Sequence, residues 1–500
     1  MPIVPAPPFP PPSVDLKNLE VLDSIETARQ KKIILAREYY FGDQGAKVTD
    51  RLKEFMPSLA SGFSFSLNFI SVVIQAVTEK LNVKGFDSTD TTLIEWAEDV
   101  WAQNNMDAIQ DDVHESTLLD GEHFVIVSWD NNQDRVRWTP VETWTSGDIG
   151  GNDFGCRMFY PQADTNLDPI LAVKQWSEID EDGKITNFRT IYFPEKIEKW
   201  IRTEGDWVHR IEQEKDEEGN LVDSEWPVPW TDDEDQPLGI PVMHFLNKRG
   251  LSEVEDVMAP QDAINKSALD TLISSDQTAF RIYVSLGWIP TTDGLAPKED
   301  RSNWAEIEPG KIIGTTRPKT EASFEAIEPP EESIRGLSEV AQTFIIWVAL
   351  TTGTPVTRVI TTKLIASDET LKQQEEPLNN KVALRRSLLT RPWLKCLEMS
   401  RKLQNVFGEK SVDTEKKLSL IWGGRLNPTV DELEAMAKKK DLGIPEEQIW
   451  RELGYSSLKI AEMKKMRAEE VARQPKPDNS KSSSNEEAPD GGEGRQEPES

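Results

Sequence analysis

The chain has 500 residues, and its 88 acidic against 57 basic side chains give a formal net charge of −31. That balance argues against a protein that grips nucleic acid through a basic surface, and no apolar run approaches the ~20 residues that span a bilayer, so no membrane partner is expected. Cys156 and Cys396 lie far apart without metal-ligand spacing, reading as reduced thiols, and no metal or cofactor is expected.

The proline-rich start, MPIVPAPPFPPPS, lacks the basic and apolar parts of a signal peptide, and residues 1–13 are expected to be disordered. Residues 14–55 read mainly as helix, and 68–81 (NFISVVIQAVTEKL) as an apolar helix inside a core. The stretch 96–119 is a further helical region, with Trp101, Met106, Ile109 and Val113 as its buried side.

After Gly121 the period changes. Segments 124–129, 136–139, 184–193, 197–202 and 207–212 are rich in β-branched and aromatic residues and are separated by turn signals, which predicts hairpins. Their tryptophans (Trp129, Trp138, Trp144, Trp176, Trp200 and Trp207) could stack on sugars, but strand aromatics more often pack a core or a subunit interface. The acid-rich stretch 212–236 fits neither a pair of glycosidase carboxylates nor a calcium loop, and reads as a solvated surface loop. His114, His123, His209 and His244 form no metal pair, and there is neither a phosphate-binding loop nor a nucleophile elbow. No catalytic residue is expected.

Strands are predicted at 288–291, 311–315 and 323–327. From Glu331 to Leu350, the apolar residues Ile334, Leu337, Ala341, Phe344, Ile345 and Val348 recur three or four apart, the one-face pattern of an amphipathic helix. Gly353 and Pro355 end that helix. Ser367 suits an N-cap, with Asp368 and Glu369 in the first turn of a new helix over 367–407. Pro377 and Pro392 should kink or split it. A strand at 417–422 and helix over 429–472, broken at 442–445 and at Gly454, complete the pattern; the Ser/Glu/Gly/Pro-rich end from 474 is expected to be disordered.

The run Ser367, Asp368, Glu369, Thr370, Leu371, Lys372, Glu375, Pro377, Leu378 resembles a motif of the portal proteins of long-tailed double-stranded DNA phages, S-G-E-A-L-K-x-x-E-x-P-L. Asp368 and Thr370 replace Gly and Ala. Upstream, Pro260, Gln261, Asp262, Ala263, Asn265 and Lys266 resemble the opening of that family's first channel helix. The resemblance implies an α+β portal fold divided into a wing (14–258, helical and then β-rich), a first stem helix (259–286), a clip (287–330) and a second stem helix (331–351). A tunnel loop (352–366), a long wing helix and strand (367–425), a crown (426–473) and a tail (474–500) follow.

The function so implied is a ring-shaped oligomer at one capsid vertex, twelve subunits in number, that conducts DNA during packaging and ejection. The implied partners are further copies of the chain, double-stranded DNA in transit, the terminase large subunit, the major capsid and scaffolding proteins and a head-completion or adaptor protein. Its place would be the virion, and the host cytoplasm during assembly. A conduit has no need of adhesive walls, so an acidic surface is compatible with it; the plainer reading is that the charge keeps an assembly soluble. In the loop, Thr352, Gly353, Thr354, Arg358, Thr361, Thr362 and Lys363 would approach DNA, with Gly353 as a hinge, Arg358 and Lys363 as phosphate contacts and Lys266 as a further channel-facing cation. Inter-subunit ion pairs are the alternative for Arg358 and Lys363. Competing readings are another minor head protein, or an acidic, Trp-rich polysaccharide hydrolase, which lacks a credible carboxylate pair.

Overall fold

The computed structural model describes residues 19–44, 66–143, 155–161, 165, 167–179, 182–203, 205–215, 221–279, 282–292, 297–299, 301–302, 318–327, 331–360, 368–423, 430–452, 455 and 457–473. The expectations for residues 1–13, 45–55, 311–315 and 474–500, for Trp144, and for Thr361, Thr362, Lys363 and Ser367 lie outside these.

Helices α1 (Leu19–Phe41) and α2 (Ile70–Thr78) are followed by strand β1 (Val83–Asp87) and by helices α3 (Thr91–Gln103) and α4 (Met106–Asp120). The single helical region expected over 96–119 is thus two helices. Asn105 takes a left-handed φ of 53° between them, a conformation that asparagine tolerates better than most residues. Asp90 caps α3 by accepting from the Thr92 amide at 3.0 Å. Gly121 ends α4 at φ 88°, where a side chain would also strike the Gly250 carbonyl.

The β-rich part runs β2 (Glu122–Asp130), β3 (Arg135–Val141), β4 (Cys156–Phe159), β5 (Leu171–Ile179), β6 (Ile185–Tyr192), β7 (Lys196–Thr203), β8 (Asp206–His209), β9 (Gln213–Lys215), β10 (Leu221–Asp223), β11 (Val228–Pro229) and β12 (Val242–Leu246). It holds two main antiparallel sheets. One has the order β12-β2-β3, and the other β11-β7-β6-β5-β4 with β8 paired to β7. The first is a middle layer: Phe124, Ile126 and Val242 pack with Cys156, Met158 and Ala172 of the second sheet. On its other face, Val125, Val127, Met243 and Phe245 join the main core. Burial on both sides explains why β2 reads as a continuous apolar run, F-V-I-V. The tryptophans pack within the fold: Trp138 donates to the Ser400 hydroxyl at 2.8 Å, Trp176 stacks on Phe188, and Trp200 meets Trp226 edge-on.

Helix α5 (Met258–Ala279) is shorter than the implied 259–286, since residues 282–286 form strand β13 (Ile282–Leu286). That segment, I-Y-V-S-L, favours a strand and pairs antiparallel with β14 (Ser323–Ile327). No strand forms over 288–291, where Pro290 removes a ladder donor. Helix α6 (Glu331–Thr352) packs along α5, and one turn, α7 (Val356–Val359), follows it.

Helix α8 (Asp368–Phe407) then runs 40 residues through both prolines; it is not split. A proline inside a helix costs ~3 kcal/mol, but Leu378, Val382, Leu389, Trp393, Cys396 and Leu397 are buried along α8. At ~1.5–3 kcal/mol for each large apolar side chain, that burial outweighs two breaks. Strand β15 (Ser419–Trp422) pairs antiparallel with β1, from Asp87↔Ser419 to Val83↔Trp422. Helices α9 (Val430–Asp441), α10 (Glu446–Glu452) and α11 (Ser457–Arg473) are the last described elements.

Candidate channel segment

The end of α6 is built by its own sequence. Gly353 stands at φ 70°, its amide donates to the Leu350 carbonyl at 3.3 Å, and the Thr354 amide donates to the Ala349 carbonyl at 2.9 Å. These two bonds form the Schellman closure that a glycine in this position makes possible. The Thr352 hydroxyl donates to the Val348 carbonyl at 2.8 Å and lies 2.9 Å from the Thr354 hydroxyl. Thr352 and Thr354 are both buried, so the segment begins inside the fold, not outside the cores as its polar composition suggests. Gly353 packs over Pro377 of α8, as a stop held by its neighbours rather than an open hinge.

A buried ionic cluster fixes this end. Lys381 donates to the Thr352 carbonyl at 3.2 Å and pairs with Glu253 at 2.7 Å. Arg385 also pairs with Glu253, its Nε at 2.8 Å. Burial alone would raise the Glu253 carboxyl, but Lys381 and Arg385 outweigh it and hold the group below the usual carboxylate range. Because Glu253 lies just ahead of α5, the cluster joins α5, α6 and α8 at one point. Sequence reasoning did not find it; the three residues are 132 positions apart at the widest, and no local pattern links them.

The motif residues turn out to be anchors. Glu375 pairs with Lys80 at 3.3 Å, Pro377 covers Gly353, and Leu378 is fully buried. In the upstream motif, Gln261 Oε1 accepts from the Phe69 amide at 3.1 Å and Asn265 Oδ1 from the Leu67 amide at 2.9 Å. Asp262 accepts from the Tyr39 hydroxyl at 2.8 Å. The polar side chains of that motif satisfy the backbone of a neighbouring segment.

Among the described residues, the expected contact cations Arg358 and Lys266 each meet a carboxylate. Arg358 is at the surface and pairs with Glu79 at 2.8 Å. Lys266 is exposed and pairs with Asp270 one turn away at 2.5 Å. On α6, Phe344 and Ile345 pack against the main core and Val348 is fully buried; Leu337 and Ala341 are half-buried, and the side chain of Ile334 is outside the described residues. The opposite side of α6 is apolar too: Val340, Ile346, Trp347 and Leu350 are exposed, Leu350 to 69%. Leu272 on α5 is exposed as well.

The sequence model of the family described as "Phage portal protein, SPP1 Gp6-like" matches residues 19–476. The chain belongs to that family. It is also 22% identical over 423 residues to the portal protein of Mycobacterium phage D29, a match covering 80% of this chain and 78% of that one. The chain is therefore a phage portal protein, a structural component of the virion capsid and not an enzyme. The hydrolase reading falls with that assignment. No described helix of this portal is long and apolar enough to cross a membrane.

Proposed function

We propose that identical subunits of this portal close into a ring, twelve as the resemblance implies, with α5 and α6 around an axial tunnel through which double-stranded DNA is packaged and ejected. The observation that carries this reading is the second apolar side of α6. Val340, Ile346, Trp347 and Leu350 are left in water by a single subunit, a patch that marks an association surface. Covering the exposed part of each would contribute ~0.5–2 kcal/mol. At 1.5 Å per residue the 22-residue helix spans ~33 Å, a substantial length of tunnel wall.

In this reading Thr352–Thr354 is the anchored root of the tunnel loop, and the part that meets DNA lies beyond it. Arg358 and Lys363 are then the candidates for transient phosphate contacts, with Lys266 at the wall. The β13–β14 pair and the residues between its strands correspond to the clip, which would meet the terminase large subunit and later a head-completion protein. Helices α9–α11 correspond to the crown; capsid and scaffolding proteins would meet the wing. The net charge of −31 suits a wall that does not hold phosphate tightly. The test is an in vitro packaging reaction with proheads carrying Arg358→Glu together with Lys363→Glu, scored by nuclease-protected DNA. Slower packaging at low salt than at high salt supports the loop assignment, and an unchanged rate at both contradicts it.

A further inference from the structure

Along the C-terminal half of α8, a cleft of about 790 Å³ opens between α8, β12 and the larger sheet. Its walls invert the charge of the molecule. Five cations line it, Lys248, Arg249, Arg391, Lys395 and Lys402, against the carboxylates of Asp168 and Glu398, in a chain whose formal net charge is −31.

Arg391, Lys395 and Lys402 follow one stripe of α8 at intervals of four and seven residues, which places them on one helix face. Among the described residues, none of the five lies within ion-pair distance of a carboxylate; Lys402 donates to the Leu238 carbonyl at 2.9 Å. Burial, and then the charge of Arg391, draw the Lys395 ammonium below the usual lysine range. Arg249 sits at φ 61° in a tight turn, a conformation uncommon outside glycine that holds it at the rim. Of the lining residues, His244 places Nε2 2.7 Å from Glu122, which lies outside the lining, and Nδ1 2.9 Å from the Tyr160 hydroxyl.

The cleft also has a backbone feature. Among the described residues, strand β12 ends its sheet, and Val242, Met243 and His244 all line the opening. Successive strand residues point to opposite faces, so an opening touched by all three runs along the edge of the strand. An edge of this kind is a template for an added strand. The floor is apolar, with Met158, Ile240, Leu388 and Met399.

We propose that this cleft binds an extended segment of a partner polypeptide in which acidic and apolar residues alternate, laid along the free edge of β12. Its carboxylates meet Arg391, Lys395, Lys248 and Arg249, and its apolar side chains cover the floor. The phosphates of a nucleic acid would meet the same cations and leave the floor and strand edge unused. The acidic end of this chain, 474–500, offers Ala488 as its single apolar side chain other than proline, so it matches the floor poorly. The proposal does not depend on the ring.

The probe is a fluorescein-labelled peptide of alternating Glu and Val, about twelve residues long at ~3.3 Å per residue, titrated into the full-length protein and followed by anisotropy. It should bind, and bind more weakly as salt rises. The Arg391→Glu, Lys395→Glu double variant should lose at least ~10-fold in affinity while Lys395→Arg retains it. A peptide N-methylated at every second residue should not bind, because the strand edge needs its amides. Circular dichroism shows whether the double variant folds; if it does not, the N-methylated and Lys/Val peptides still decide. Five outcomes would overturn the proposal: no binding of the Glu/Val peptide, equal binding of a Lys/Val peptide, undiminished binding of the N-methylated peptide, retention by the folded double variant, and tighter binding of oligothymidylate or of a peptide spanning 474–500.

Discussion

Lys381 donates to the carbonyl of Thr352 across 3.2 Å, and this one bond ties the last turn of α6 to the long helix that follows it in the chain. Lys381 simultaneously pairs with Glu253, so the end of α6, the approach to α5 and α8 share a single buried charge cluster. Whatever the loop after Thr354 does, its root is fixed to α8.

The first prediction concerns that cluster. Glu253→Gln keeps the shape and removes the charge, leaving Lys381 and Arg385 buried without a counter-ion. Breaking a buried ion pair from one side costs ~3–5 kcal/mol, a large share of a stability of ~5–15 kcal/mol. Urea unfolding should show the loss. A midpoint unchanged from that of the parent would mean that water reaches the cluster.

Acid should weaken the fold in two stages. His114 is fully buried; its Nδ1 donates to the Leu81 carbonyl at 3.0 Å, and Trp393 Nε1 donates to its Nε2 at 3.0 Å. Burial pulls its pKa from 6.5 down to about 4. A lowered folded value contributes stability that is present above 6.5 and lost as pH falls towards 4, ~3 kcal/mol in all. His123, buried and drawn down to about 3, adds to the same slope. Glu253 has the same sign at lower pH: its contribution is present above the ordinary value of 4.5 and is lost as pH falls below it. Thermal unfolding from pH 7 to pH 4 should show melting temperature falling, and His114→Gln, which can keep both hydrogen bonds, should flatten part of that slope. A slope identical in the variant would place the titration elsewhere.

Gly353→Ala forces a side chain into a left-handed conformation and should cost ~1–2 kcal/mol. Thr354→Pro should cost more, since it deletes the bond to the Ala349 carbonyl. Prolines at both positions would leave the fold intact only if this segment lay outside the cores. With Thr352 and Thr354 buried, the same variants should unfold at lower denaturant. Parental stability of Thr354→Pro would show that the closure contributes little.

What the sequence made legible is governed by distance along the chain. The inner stripe of α6, with Phe344, Ile345 and Val348, followed from local period, as did the helix stop at Gly353. The outer apolar residues Trp347 and Leu350 did not, because a helix apolar on two sides blurs a one-face pattern. Strand β13 was absorbed into the helix before it, since Ile282–Leu286 becomes a strand by pairing with residues about forty positions away. The pairing of β1 with β15 spans more than three hundred residues and left no local trace. Of the kink or split expected at Pro377 and Pro392, the split does not occur, because tertiary burial along α8 overrides that local preference. Of the site, Arg358 and Lys266 were found as cations, but their partners Glu79 and Asp270 were not named, and Glu253, Lys381 and Arg385 were missed.

The two sides of α6 separate folding from assembly. Phe344→Asp should place a charge against the main core and destabilise the subunit. Trp347→Asp, on the exposed side, should leave the subunit folded with a near-parental unfolding midpoint. An equal loss of stability in both variants would contradict the division.

The central claim is that this portal chain closes into a ring through the exposed side of α6, and the most direct measurement is the mass and negative-stain image of the purified full-length protein beside its Trp347→Asp variant. The parent should give a closed ring with an axial hole, and the variant folded subunits near the chain mass of 56.6 kDa. A parent protein that remains at the chain mass at every concentration, or a variant that forms rings as readily as the parent, would contradict the account.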